Sequence, residues 1–533
     1  MSDQGFGGMK RRDLFRMIGA VAGGGAMYQA MTGLGYAAES DYSGPINLSG
    51  APKGASVVVL GAGWAGLVAA LELRNAGYKV TLLEYNERIG GRAWSVRGGD
   101  TYTELGGHTQ HCGFDPGLYV NVGPWRIPYH HRAYLDYAKR FHVDLEPFIQ
   151  VNYNAYVHST RAFGGKPKRY REVQADFHGH VGELLAKTTQ EGKLSQRVTK
   201  EDAEILLDAL KNWGALDDNY AYAANEGSAR RRGYDIPPGA GTMPTSEPSQ
   251  PIGLADLLQS GFWQSLSSGV DHHWQSTIFQ PVGGMDMTPK AIGREVAALI
   301  TTNAKVKAIK QDAKGVTVTY VDAKTGGDPR QVHADWCVCT IPGSVLSQID
   351  FDCSAPMKAA IDALSYASYV KTGLQFKRKF WEEDDAIYGG ITFTDLPIRQ
   401  IAYPNTAFNK PGKGVLLGTF SGYPSVQGYE LSGMSPEERV KLAVECGAQI
   451  HPQYKEEFEN GVSVAWHRVP SHFGCYPTWT DELRAQHYKN LCAFDGRVVL
   501  AGDHTSELPG WQEGAILASL NAIGRLHKRA LAA

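Results

Sequence analysis

Arg126 stands alone among apolar neighbours in VGPWRIP, residues 122–128, with no other charge in the stretch. An arginine is rarely fully buried without a partner. It either caps a surface turn or meets an anion from outside the chain, such as a substrate carboxylate. A planar guanidinium suits a carboxylate, since two parallel N–H···O bonds fix both position and orientation. A second centre is Gly61-x-Gly63-x-x-Gly66, with Glu84 about 20 positions on. It follows the apolar run 57–60 and precedes a helical stretch from about Ala65 to Ala76, stopped by Gly77. In that context the spacing binds a dinucleotide. Gly61 makes the turn, Gly63 lets the backbone reach a pyrophosphate, and Gly66 lets the helix pack on the strand. The helix N-terminus faces the negative charge, and Glu84 accepts hydrogen bonds from a ribose. A third centre, Gly502-Asp503, ends the run 498–501, and a helix begins near Gly510 with Ile516, Leu520 and Ile523 on one face. Asp503 can bind cofactor hydroxyls there, and the helix N-terminus can stabilise negative charge.

Metal chemistry is not expected. The pairs His130-His131 and His272-His273 are adjacent without further ligand spacing. The seven cysteines are scattered, with no CxxC pair, so neither a disulfide framework nor a zinc site is indicated. Cys337 and Cys339, in WCVCTIP, read as small buried hydrophobes on a strand. A net charge of -2 gives no reason to expect nucleic acid or an anionic membrane surface as a partner.

The elements that position these centres point to an α/β fold. At 533 residues the chain exceeds one hydrophobic core. Strands are expected at 57–60, 79–83, 498–501 and around Cys337, with a hairpin carrying Val306 and turning before Gly315. A helix starts from about Thr288. Residues 168–260 read as helices on polar ground, broken by a long loop at 227–251. Its three arginines, Arg230 to Arg232, read as a solvated face. GKGVLLG, residues 412–418, precedes a strand and reads as a turn. The first forty residues carry Arg11-Arg12, Leu14-Phe15 and a weakly apolar run at 17–31, too short to span a bilayer. They resemble a twin-arginine export signal, with cleavage near Ala37 or Ala38 and a periplasmic or secreted product without membrane anchoring.

GAGWAGL, IGGRAWS, GPWRIP, VKTGLQFKRKFWEEDD, DLPIRQIAYPN and GDHTSELPGWQEGA together resemble the flavin amine oxidases, in particular the snake-venom-type L-amino-acid oxidases. The resemblance spans nearly the whole chain after the signal. It implies a glutathione-reductase-like FAD-binding Rossmann domain (39–100, 279–362 and 485–533), with 1–38 as signal peptide. A mixed-sheet substrate domain (101–165 and 363–484) and a helical domain (166–278) complete it. FAD is the implied cofactor. Its contacts fall on Gly61, Gly63, Trp64, Ala65, Gly66, Glu84, Gly91, Arg92, Gly123, Pro124, Trp125, Arg126, Val306, Gly502, Asp503, Gly510, Trp511, Gln512 and Ala515, with Arg92 neutralising a phosphate. Lys371 matches the lysine that holds a water beside flavin N5. Arg126 takes the substrate carboxylate, the Gly510 carbonyl takes the amine, and Tyr476 and Trp511 form aromatic walls.

The implied reaction is hydride transfer from the substrate Cα–H to the flavin, hydrolysis of the imino acid to a 2-oxo acid and ammonia, and reoxidation by oxygen to hydrogen peroxide. A primary monoamine oxidase and an L-amino-acid 2-monooxygenase are the nearest rivals; a non-catalytic partner-binding relative is remote. The resemblance admits a homodimer. Two departures stand out. The strand 414–422 offers Thr419 and Phe420, with Tyr423 close by, where venom-type enzymes carry a carboxylate-binding tyrosine. Cys475 precedes Tyr476 as in the monoamine oxidases, whose cysteine is bonded to the flavin 8α-methyl. Covalent attachment at Cys475 and simple apolar packing both remain open, and an active-site histidine is not placed.

Overall fold

A computed structural model of the chain describes residues 40–242, 244–422 and 426–533. The expected export signal and Tyr423 lie outside these residues. The first sheet joins β1 (Ser56–Leu60), β2 (Lys79–Leu83), β3 (Ile300–Thr301), β4 (Trp336–Cys339), β5 (Phe494–Asp495) and β6 (Val498–Leu500) in the order β3-β2-β1-β4-β6-β5. All pairings are parallel except β5 with β6. Parallel sheets are covered on both faces, so their strands are apolar throughout. Val57, Val59, Leu82, Val338 and Val499 meet helices Trp64–Ala76 and Gln512–Ala532 on one face. Val58, Leu60, Leu83, Cys337, Cys339 and Leu500 pack on the other, toward the antiparallel pair Ala304–Gln311 and Val316–Asp322. Cys337 and Cys339 are thus buried hydrophobes, and all seven cysteines are free thiols.

Helix Trp64–Ala76 is rich in Ala and Leu, strong helix formers. It ends where Gly77 takes φ 99° and its N–H caps the last carbonyls. Ten of its thirteen residues are buried, so it lacks a polar face.

The second sheet has seven strands. Tyr369–Phe376 lies inside it, antiparallel to Gly414–Gly422 on one side and Phe458–Ala465 on the other. Lys371 is opposite Phe420 and Val464. The strand Gly414–Gly422 begins within the stretch expected to be a turn, because its apolar residues fill the sheet interior.

The region 227–251 differs from the long solvated loop expected. It contains helix Glu226–Arg232 and the strand pair Tyr234–Ile236 with Glu247–Pro248. Arg230 and Arg231 are exposed, but Arg232 is only 2% exposed and ion-paired with Asp176. Asp176, on helix Tyr170–Gln190, also accepts from Tyr222 Oη (2.6 Å) and Ile252 N (2.8 Å). One buried carboxylate therefore gathers three segments, which is why the third arginine turns inward. Among the described residues no helix is long and apolar enough to cross a membrane.

Candidate active site

A cavity of about 670 Å³ is lined by the turn after β1, the end of β2, Val306, residues 122–126, Lys371, and the segments on both sides of Asp503 and Gly510. Of the residues expected at the site, Gly66 alone is missing from its wall. A Cβ on Gly66 would sit 1.7 Å from the Gly61 carbonyl oxygen, so this glycine serves helix–strand packing. Gly61 itself has φ 97°. A Cβ on Gly123 would likewise stand 1.7 Å from the Arg92 carbonyl oxygen.

These residues fit a dinucleotide. Helices Trp64–Ala76 and Gln512–Ala532 both begin at the cavity, with Gly63 and Trp511 as N-caps that give no side-chain cap bond. Their first N–H groups can face a diphosphate or an electron-rich ring. Trp64 Nε1 donates to Gln512 Oε1 at 2.6 Å, tying the two starts together. Glu84, 5% exposed, accepts from Ala62 N (2.6 Å) and Asn86 N (2.8 Å), which locks its carboxylate at the end of β2. Arg92 and Asp503, expected to contact the cofactor separately, are coupled. Arg92 Nη1 donates to Asp503 Oδ2 at 2.7 Å and Nη2 to Oδ1. Asp503 also accepts from Gly510 N at 3.2 Å, which steadies the approach to the last helix.

At the other end Arg126 lies 5.2 Å from the Trp125 ring and 5.1 Å from the Trp274 ring, and its Nη1 donates to Gln150 Oε1 at 2.6 Å. Gln150 Nε2 in turn donates to Ser268 Oγ at 2.8 Å. The guanidinium is thus stacked and oriented by segments far apart in sequence. Lys371 is 3% exposed, and its Nζ donates to the Gly123 carbonyl at 2.5 Å. It stands 4.5 Å from Trp125 and 4.8 Å from Phe420. Burial brings its pKa down to about 7, with Cys475 opposing and Arg126 adding to the shift.

Phe420 stacks on Tyr369 at 5.0 Å and meets Trp125 at 4.9 Å. Tyr369 is 5.7 Å from Tyr476, and a Cβ on Gly510 would come within 3.2 Å of Tyr476. Gly510, at φ 80°, lets that ring approach the backbone. Cys475 lines the cavity, and burial pushes its thiol up to about 12 against the pull of Arg92 and Lys371.

Sequence reasoning missed Tyr369, Trp274 and Gln150. Tyr369 could have been found: it is two residues before Lys371 on one strand, so both point to the same face. Sequence also failed to relate His130-His131 to His272-His273, which the fold brings together beside Trp511.

A doubly wound sheet whose cofactor groove opens into an aromatic chamber holding Arg126 and the buried Lys371 defines a dinucleotide-dependent redox enzyme. The chain belongs to the flavin containing amine oxidoreductases, whose family model matches residues 64–526. It is 30% identical over 484 residues to an L-amino-acid oxidase of Pseudechis australis, covering 87% of this chain and 85% of that protein. An L-amino-acid oxidase of Siganus canaliculatus is 30% identical over 488 residues, covering 89% and 86%. The structure is similar to cyclohexylamine oxidase from Brevibacterium oxydans IH-35A, with TM-score 0.58, 15% identity, and coverage of 89% of this chain and 99% of that one. Wild-type putrescine oxidase bound to putrescine matches with TM-score 0.56, 17% identity, and coverage of 90% and 99%. At these identities the two structures speak for the fold alone.

Proposed function

We propose that the protein carries out FAD-dependent oxidative deamination of L-amino acids, giving 2-oxo acids, ammonia and hydrogen peroxide with oxygen as acceptor. The observation that carries this reading is Arg126, stacked between two tryptophans and held by Gln150 at the wall of the chamber. A fixed guanidinium in an aromatic chamber is suited to a carboxylate, which a simple amine lacks. The L-amino-acid oxidases that align over most of the chain support the same reading.

Bound FAD supplies the hydride acceptor and passes the electrons to oxygen. The chain's own residues bind and orient. Arg126 takes the carboxylate, the Gly510 carbonyl accepts from the amine, and Tyr476 and Trp511 flank the side chain, so that the Cα–H is presented in one direction. Lys371, with its pKa near 7, gives or takes a proton beside the Gly123 carbonyl. The aromatic rings of Trp125, Phe420 and Tyr369 exclude water around it. The test is product analysis with an L-amino acid under air. A 2-oxo acid with ammonia and peroxide is expected. An amide with carbon dioxide would identify a 2-monooxygenase instead.

Cys475 bears on how the cofactor is held. Its thiol stays protonated at neutral pH, which disfavours addition to the flavin. This supports FAD held without a covalent bond: acid precipitation should leave a colourless pellet at the apoprotein mass, and a yellow pellet would contradict it. The export route rests on the Arg11-Arg12 pattern. Changing Arg11→Lys with Arg12→Lys should retain folded, FAD-loaded enzyme in the cytoplasm; normal export would refute the twin-arginine route.

A further inference from the structure

His130, His131, His272 and His273 converge beside Trp511 for a topological reason. Strand Ile127–Pro128 pairs antiparallel with Ile278–Pro281, Pro128 opposite Ile278. Residues just after the first strand therefore lie beside residues just before the second. His130 stacks on His272 at 4.3 Å and lies 4.9 Å from His273. His131 and His273 stand 4.9 and 5.1 Å from the Trp511 ring. One ring nitrogen each from His130, His131 and His273 falls within 4.8 Å of the others.

His131 and His273 each leave a ring nitrogen without the partner that a buried imidazole needs. His131 and His273 are each 2% exposed, and His131 Nε2 and His273 Nδ1 make no hydrogen bond among the described residues. A buried ring nitrogen left so is costly. A neutral imidazole offers one ring-nitrogen lone pair to a metal. A donor set of imidazole nitrogens suits zinc, copper or nickel rather than calcium or magnesium.

We propose that His130, His131 and His273 bind one divalent transition-metal ion behind Trp511. A tetrahedral site with metal–nitrogen bonds of about 2.0–2.1 Å needs nitrogens about 3.3 Å apart, so small ring rotations complete it. The chamber wall includes Trp274 and Trp511 but none of these histidines, so the ion positions that wall and does not touch substrate. It joins the segment that carries Arg126 to the segment that carries Trp274, and so steadies both sides of the guanidinium. The proposal stands whether or not the substrate is an amino acid.

The test uses the FAD-loaded enzyme, stripped with a chelator, equilibrated with Zn²⁺, Ni²⁺ or Cu²⁺ in turn, desalted, and assayed for metal by mass spectrometry. The wild type should retain about one ion per chain with at least one of the three, and its Tm should rise with that metal. His108→Ala, at an exposed position, should do the same. His131→Gln and His273→Gln should retain almost none and show no Tm response, while keeping the flavin spectrum. His130→Gln replaces either one that loses its flavin. A wild type that retains none of the three metals overturns the proposal. So does retention by flavin-bearing variants equal to the wild type's.

Discussion

At its Glu84 end the cavity is built mostly from backbone: Gly61, Gly63 and Gly91, two helix starts, and a carboxylate locked by main-chain amides. At its Arg126 end it is built from side chains: Trp125, Trp274, Lys371, Phe420 and Tyr369, with Gln150 holding Arg126. The difference follows from what each end must hold. A diphosphate carries diffuse charge that backbone N–H groups satisfy at any sequence, provided no Cβ intervenes. An amino acid must be fixed at its carboxylate, amine and side chain at once, and only specific side chains do that. The first end tolerates no added atom. The second tolerates altered side chains and loses function by degrees.

Three substitutions break or sharpen this contrast. Gly66→Ala should have the largest effect, because its Cβ would lie 1.7 Å from the Gly61 oxygen, far inside contact distance. Purified protein should carry almost no flavin, read as the ratio of flavin to protein absorbance; full occupancy would show that the packing is not tight. Arg126→Lys keeps the charge and loses the fork. It should leave the flavin spectrum unchanged and lower kcat/KM by about ten- to a hundredfold, or roughly 1.5–3 kcal/mol. An unchanged kcat/KM would make Arg126 structural.

Lys371→Met should have the mildest effect on assembly, with FAD bound and either reduction or reoxidation slowed in stopped flow. The wild-type step that depends on this amine should titrate near pH 7, where Lys371 loses its proton, and the variant should show no such inflection. Stability gives a second reading. The folded pKa lies below the ordinary lysine value of 10.5, so burial of the charged amine costs most below about pH 7 and less as pH rises toward 10.5. The wild type should therefore gain in Tm on Lys371→Met as pH rises from 7. Wild-type rates in both half-reactions, or a constant Tm difference, would remove the role or the shift.

The same contrast decides what was legible in the sequence. The Gly61, Gly63, Gly66 and Glu84 set lies within one strand–helix–strand unit, so its spacing carries its function. Residues 498–515 repeat that local pattern, and their strand and helix fall close to the expected positions, the helix starting at Gln512 rather than near Gly510. Arg126 was visible as an isolated charge, but Gln150 and Trp274 were not visible as its partners, because sheet topology rather than periodicity brings them near. Arg232 was misread for the same reason. Its burial depends on Asp176, 56 positions earlier, while its neighbours Arg230 and Arg231 do point to solvent. The histidine pairs looked unrelated, since nothing local announces that Pro128 pairs with Ile278.

The central claim is that the chamber recognises a carboxylate through Arg126. Anaerobic mixing of the purified enzyme with L-phenylalanine, D-phenylalanine and phenylethylamine, followed by flavin absorbance, tests it most directly. L-phenylalanine and other L-amino acids should bleach the flavin, while the amine and the D-enantiomer leave it oxidised. Equal bleaching by phenylethylamine and L-phenylalanine would contradict the account, because a substrate without a carboxylate would then need nothing from Arg126.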